Sequence, residues 1–226
     1  MGSYVNGGSG YFLNGVELGL VGCHKDLGVA VDSSLKFHSH INSIACKAAG
    51  LANQLLRATV CRDEFFMVSL FVSHVRPLLD FCSSVWNLGY VGDLIKLEGV
   101  QRRWTKQVTG LYDFSYLERL KILKLYSVQG RLFRADLIKT WKAFHSNVDV
   151  GLAQLFERRV HQSTRGHQFK LSIPLCRSEV RRRFLSVRVV FAWNRLPHDV
   201  VALESLGAFK SHLDRLLENE FYMVNS

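Results

Sequence analysis

The 226-residue sequence has three prolines, an odd count of five cysteines, fewer acidic than basic residues, and no Asp-Asp pair. Two-metal phosphoryl transfer needs two or three convergent carboxylates, and the one adjacent acidic pair, Asp63-Glu64, reads more simply as a helix start. Cys23, Cys46, Cys61, Cys82 and Cys176 form no C-x-x-C pair, which argues against a zinc knuckle; scattered within apolar runs, they read as buried thiols of a reducing compartment. The most apolar window, FFMVSLFVSHV from Phe65 to Val75, covers about half of the ~20 residues that span a bilayer, so a core helix is expected and no membrane partner. The glycine-rich start lacks the apolar run of a signal peptide, and Asn6 stands where a myristoylation signal wants Ser or Thr. No G-x-S-x-G elbow and no glycine loop followed by Lys-Ser/Thr is present.

One close histidine pair, His38-x-His40, has metal-ligand residue types. His38 and His40 would face opposite sides of a strand, or lie about 200° apart on a helix. Neither arrangement brings both rings to one metal, so surface or capping roles are expected, with no metal site and no cofactor in this chain.

Positive charge is what the sequence does have. Twenty-nine Lys and Arg against nineteen Asp and Glu give a formal net charge of +10 and a pI near 9.6. A polyanionic partner follows as the expectation. Basic residues cluster beside aromatics at Arg102-Arg103-Trp104 with Lys106, and at Arg181-Arg182-Arg183-Phe184. Guanidinium groups grip phosphates bidentately while an aromatic packs or stacks. The plain alternative is that the aromatics face the core and the arginines are solvated. Residues Glu157 to Phe184, with Arg158, Arg159, Arg165 and Lys170, read as an extended basic strip.

Hydrophobic patterning gives the elements. Asn14-Gly15 between apolar residues predicts a hairpin over Tyr11–Val21. LGVAV, Leu27 to Val31, reads as a β run ending at a helix start, Asp32-Ser33-Ser34, with a helix from Leu35 to about Arg57. A second helix from Asp63-Glu64 should break or kink at Pro77 and lie at the centre of the packing. A third opens at Asp93, carries Leu94, Leu97, Val100, Trp104 and Val108 on one stripe, and stops at Gly110. Tyr116–Leu125, Ser127–His145, Phe184–Trp193 and Leu206–Leu217 complete an α+β, predominantly α-helical chain, divided into residues 1–34, 35–146 and 147–226.

The order of these motifs resembles the C-terminal part of non-LTR retrotransposon (LINE-type, jockey-like) reverse transcriptases. KDLGVAVDSSLKFHSHI is similar to the end of their palm, SHVRPLLDFCSSVWN to the thumb segment, with Phe81 where Tyr is common, and LIKLEGVQRRWTKQVTGL to the helix after it. YLERLKILKLYSVQGRLFRADLIKTWK, STRGHQFKL, RRRFLSVRVVFAWNRLP and LESLGAFKSHLD resemble the tail, in the same order. The resemblance implies a piece comprising palm end, thumb-like bundle and tail, without the Y/F-x-D-D box. Mg²⁺ and polymerisation would belong to the complete polymerase, with the upstream polymerase portion as a partner. It also implies primer-grip-like roles for Leu27, Gly28 and Val29, and template RNA or an RNA–DNA hybrid as ligand, held through Lys25 and the basic residues above. Two alternatives stand beside it: a host-retained helical protein-interaction module, and an inert degenerate copy. Neither nucleus nor cytoplasm is singled out.

Overall fold

Asn14 and Gly15 both adopt positive φ (51° and 81°), and this two-residue turn joins strands β1 (Tyr11–Leu13) and β2 (Val16–Leu18) as the Asn-Gly signal predicts. The computed structural model describes residues 11–145, 150–159 and 169–224. The chain is predominantly helical, with a small β unit at its N-terminal end.

A second hairpin follows, pairing β3 (Cys23–Asp26) with β4 (Val29–Asp32). The LGVAV run is therefore not one strand: Leu27 and Gly28 form its turn, at φ 43° and 90°. Helix α1 (His38–Ala58) starts three residues later than the apolar spacing suggests. The Asp32 carboxylate accepts the backbone N–H of Ser34 (2.9 Å) and of Phe37 (3.0 Å), which ties residues 32–37 into a loop with Leu35 and Phe37 in the left-handed region.

Asp63 caps α2 (Glu64–Leu70) by accepting the N–H of Phe66 at 3.0 Å. Pro77 does not break this helix. The segment Phe71–Val75 widens into a π-helical turn, and α3 (Arg76–Asp80) continues through the proline. A proline supplies no N–H and crowds the carbonyl four residues back; a widened turn accommodates both defects. Met67, Phe71, Val75 and Leu79, four residues apart, are fully buried, whereas Phe65 is 83% exposed, so the segment is one-sided and not apolar all round. Each buried side chain of this stripe contributes about 1.5–3 kcal/mol. Cys82, at φ 53°, then turns the chain into α4 (Ser83–Trp86).

Helix α5 (Val91–Thr105) buries Leu94, Leu97, Val100 and Trp104 as its spacing predicts. It ends before Gly110 because Thr109 donates its N–H to the Arg62 carbonyl (2.9 Å), drawing residues 106–110 into turns over buried Val108. A Ser115–Glu118 capping box starts α6 (Tyr116–Ile122), and α7 (Val128–His145) follows. The later part comprises α8 (Val150–Ala153), α9 (Glu179–Arg182), α10 (Leu185–Arg188), α11 (Val190–Arg195), α12 (His198–Val201), α13 (Leu206–Leu216) and α14 (Glu218–Phe221).

Two apolar clusters share α7. Leu132 belongs to one, with α1, α2, α3 and α5; Leu137 and Trp141 belong to the other, with Trp193, Phe209 and Phe221. The thiols contradict the sequence expectation: Cys23, Cys46, Cys61 and Cys82 are exposed and Cys176 is half-buried. On α1 Cys46 falls beside, not on, the buried Ala45–Ala48–Ala52 stripe, and Cys23, Cys61 and Cys82 sit in the hairpin or at helix junctions. No described helix is long and apolar enough to cross a membrane.

Candidate nucleic-acid interface

The second hairpin carries Leu27, Gly28 and Val29, for which the resemblance implies primer-grip-like roles. Leu27 projects into solvent at 87% exposure, Val29 is buried at 5%, and Lys25 is exposed. Gly28 lies under the Phe81 ring; a Cβ there would stand 3.2 Å from Phe81 Cε1 on a backbone that already requires positive φ. Beneath the hairpin, His40 is buried and its Nδ1 accepts the Ala30 N–H at 3.2 Å, whereas His38 turns outward and pairs with Asp93 at 2.6 Å. The two rings thus serve separate structural contacts. No group of three His, Cys, Asp or Glu able to hold a metal occurs among the described residues.

Burial, and then the charges of Lys47 and Lys25, lower the His40 pKa from the ordinary 6.5. The unfolded chain therefore takes up this proton first as pH falls. Stability from neutral His40 is present above pH 6.5 and lost as pH falls through its lower folded pKa. Protonation of Nδ1 also removes the acceptor for Ala30. Exchange of the Ala30 amide, corrected for its intrinsic rate, is expected to be faster at pH 5 than at pH 7; equal protection would contradict this role.

The first basic patch lies at the end of α5. Arg102, Arg103 and Lys106 are exposed, but Trp104 between them is a core residue whose Nε1–H donates to the Met67 carbonyl at 3.1 Å. The aromatic partners come from further along the chain: the Arg102 guanidinium lies 5.0 Å from the Tyr116 ring centre and Lys106 Nζ 4.2 Å from that of Tyr112. Arg119, itself buried, ties the patch together by donating to the carbonyls of Phe114 (2.6 Å) and Arg102 (3.3 Å).

A buried polar network underlies this patch. Glu98 accepts the N–H of Val128 (2.9 Å), the N–H of Gln129 (3.3 Å) and the Tyr116 hydroxyl, and so acts as an anion at the N-terminus of α7. Burial, and then the Glu98 charge, raise the Tyr116 pKa far above the usual phenol range. Gln101 donates to the Tyr126 carbonyl at 2.9 Å and accepts from Arg131 at 2.5 Å, and Arg131 pairs with Asp80 at 3.2 Å. None of these buried polar residues stood out in the sequence, where they interrupt otherwise regular helical stripes.

The second patch is α9. Arg181 and Arg182 are exposed, with the Arg181 guanidinium 5.7 Å from the Phe184 ring centre. Arg183 turns back to the protein: it pairs with Glu179 (2.9 Å), donates to the Leu88 carbonyl (3.1 Å) and stacks over Tyr90 at 4.3 Å. In the basic strip, Arg159 donates its N–H to the Lys170 carbonyl at 3.0 Å, Arg158 and Leu171 form an antiparallel bridge, and the Arg158 guanidinium lies 5.0 Å from the Phe144 ring centre. Arg165 lies outside the described residues.

A third concentration of charge has no counterpart in any sequence run. A cleft of about 690 Å³ between α3, α4, α7 and α13 is lined by seven basic side chains and a single acidic one, Asp80. Arg76 comes from α3, Lys124 from the turn after α6, Arg134, Lys139 and Lys142 from α7, and Lys210 from α13. Arg131 and Asp80 form its floor.

Searches against family models, curated proteins and solved structures return no match to this chain.

Chemically, the surface offers several exposed cations with aromatic rings beside them, the groups that phosphate contacts require. Among the described residues, Arg102, Arg103, Lys106, Arg181 and Arg182 have no carboxylate within ion-pair distance, so their charge is uncompensated. Such contacts track a sugar–phosphate backbone without reading base identity.

Proposed function

We propose that the chain is the palm end, thumb-like bundle and tail of a non-LTR retrotransposon reverse transcriptase, and that its own biochemical capacity is sequence-tolerant binding of RNA and RNA–DNA hybrid. Polymerisation and its Mg²⁺ belong to the complete parent enzyme. The ordered motif series supports the family reading. The observation that carries the binding reading is the set of exposed, carboxylate-free cations at the end of α5 and on α9, with Tyr112, Tyr116 and Phe184 beside them.

Five such cations meeting phosphates would release counterions on binding. Affinity for an RNA–DNA hybrid is therefore expected to fall by about 10²–10³-fold between 50 and 200 mM salt. Arg181→Glu combined with Arg182→Glu should flatten that dependence by about two units of log–log slope. Fluorescence anisotropy with a labelled hybrid reads both, and no binding at 50 mM salt would overturn the reading in favour of a protein-interaction module. The purified chain is expected to extend no primer with Mg²⁺ or Mn²⁺; genuine extension would refute its status as the non-catalytic part.

A further inference from the structure

The cleft between α3, α4, α7 and α13 is built in two tiers. Its arginines are held in place by carboxylates: Arg76 donates to Asp80 at 3.1 Å, Arg131 pairs with Asp80 at 3.2 Å, and Arg134 grips Asp214 through two bonds of 2.5 and 2.7 Å. Three of its four lysines, Lys124, Lys142 and Lys210, meet no carboxylate among the described residues; Lys139 lines the same cleft. Lys124 sits at φ 51°, a left-handed position that ends α6 and delivers its side chain to the cleft. Seven cations sharing one opening repel one another; for Arg76, burial and then Arg131 both disfavour the charged form. Ser83, Ser84 and Tyr126 also line the cleft.

We infer that this cleft is a site for clustered phosphate groups, either a compact polyphosphate or adjacent phosphates of a sharply bent nucleic-acid strand. A volume of about 690 Å³ falls within the range of about 300–1,000 Å³ typical of small-ligand sites. Val85, Leu125, Leu132, Ala135 and Ile138 give the cleft apolar walls as well, and it is the seven cations against one carboxylate that select an anionic ligand. A single phosphate reaches only part of a ring of cations drawn from three helices and a turn. Several linked phosphates neutralise lysines from different elements together, and the lysines act there as mobile point charges around carboxylate-held arginines. This site does not depend on strand binding at the α5 and α9 patches.

The probe is inorganic tripolyphosphate, titrated calorimetrically into the full chain at 0.1 M salt. Saturable binding at one site is expected, with inorganic monophosphate at least ten-fold weaker. Lys142→Gln combined with Lys210→Gln should weaken tripolyphosphate at least ten-fold, whereas the charge-matched pair Lys36→Gln and Lys47→Gln, outside the cleft, should leave it within two-fold. Lysine acetylation footprinting of the unsubstituted chain needs no variant: tripolyphosphate should protect Lys124, Lys142 and Lys210 and leave Lys36 and Lys47 reactive. No saturable binding, equal weakening by both pairs, or uniform protection would overturn the inference. A single-stranded oligonucleotide separates the two sources. Displacement by tripolyphosphate, with loss in the Lys142/Lys210 variant, assigns the cleft to a strand's phosphates. Oligonucleotide binding that survives saturating tripolyphosphate assigns it to a small polyphosphate.

Discussion

Asp136→Ala is expected to destabilise the protein by about 3–5 kcal/mol, the largest effect foreseen for any single side chain here. Asp136 on α7 and Arg188 on α10 form a bidentate pair, both bonds 2.8 Å, with side chains only 5% and 15% exposed. Burial raises the carboxyl pKa and Arg188 opposes that shift, so each group depends on the other. Removing the carboxylate strands a guanidinium that also supports the carbonyls of Arg183 (3.0 Å) and Ser84 (3.4 Å), and so connects α4, α9 and α7. Urea denaturation reads the loss directly; in a thermal scan it corresponds to about 6–20 °C. The double variant Asp136→Leu with Arg188→Met should recover much of the stability, because a buried pair replaced as a whole leaves no isolated charge. A double variant as unstable as the single one would show that packing, and not the uncompensated charge, sets the effect.

Gly130→Ala is expected to detach the C-terminal helix. Gly130 lies in the first turn of α7, where an added Cβ would fall 2.0 Å from the Phe221 carbonyl oxygen and 2.5 Å from its carbonyl carbon. The obstacle is backbone, so no rotamer change relieves it. The same contact is held by Ser127, whose N–H donates to the Phe221 carbonyl (3.0 Å) and whose hydroxyl donates to the carbonyls of Phe221 (3.1 Å) and Met223 (2.6 Å). Phe221 is fully buried against Tyr126 and Phe133. Overpacking of this kind costs about 1–3 kcal/mol where the structure can shift, and loss of the buried phenylalanine adds a comparable amount. Hydrogen exchange at Phe221 and Tyr222 is expected to lose its protection in the variant. Stability should match that of a chain ending at Leu217; retained protection would mean that α7 and α14 can move apart without releasing each other.

Local signals in the sequence were sufficient where the chemistry is local. Asn14-Gly15 specifies its hairpin, Asp63 caps α2, and the stripe through Leu94, Leu97, Val100 and Trp104 locates the buried face of α5. The misreadings have non-local causes. Leu27 takes positive φ beside Gly28 in a turn whose glycine is packed by Phe81, far along the chain. The helical segment from Glu64 passes through Pro77 because a π-helical turn absorbs the defect, and no residue type marks such a turn. At the basic patches, adjacency in sequence suggested Trp104 as the aromatic beside Arg102, whereas tertiary packing supplies Tyr116 and Tyr112. The cleft was least legible of all: its cations are spread from Arg76 to Lys210, and no two adjacent in sequence belong to it.

The clasp between Ser127 and the C-terminal helix also bears on how the chain matures as it is synthesised. Ser127 waits for partners 94 and 96 residues further on. At about 5–20 residues per second, a ribosome needs roughly 5–20 s to supply them. During that interval the start of α7 has Glu98 to hold its first amides, while the groove that will receive Phe221 stays open to water. At this groove a nascent chain is thus open to chaperones or to premature association for a time set by translation speed, and slowing the ribosome between Ser127 and Phe221 would lengthen that exposure in proportion.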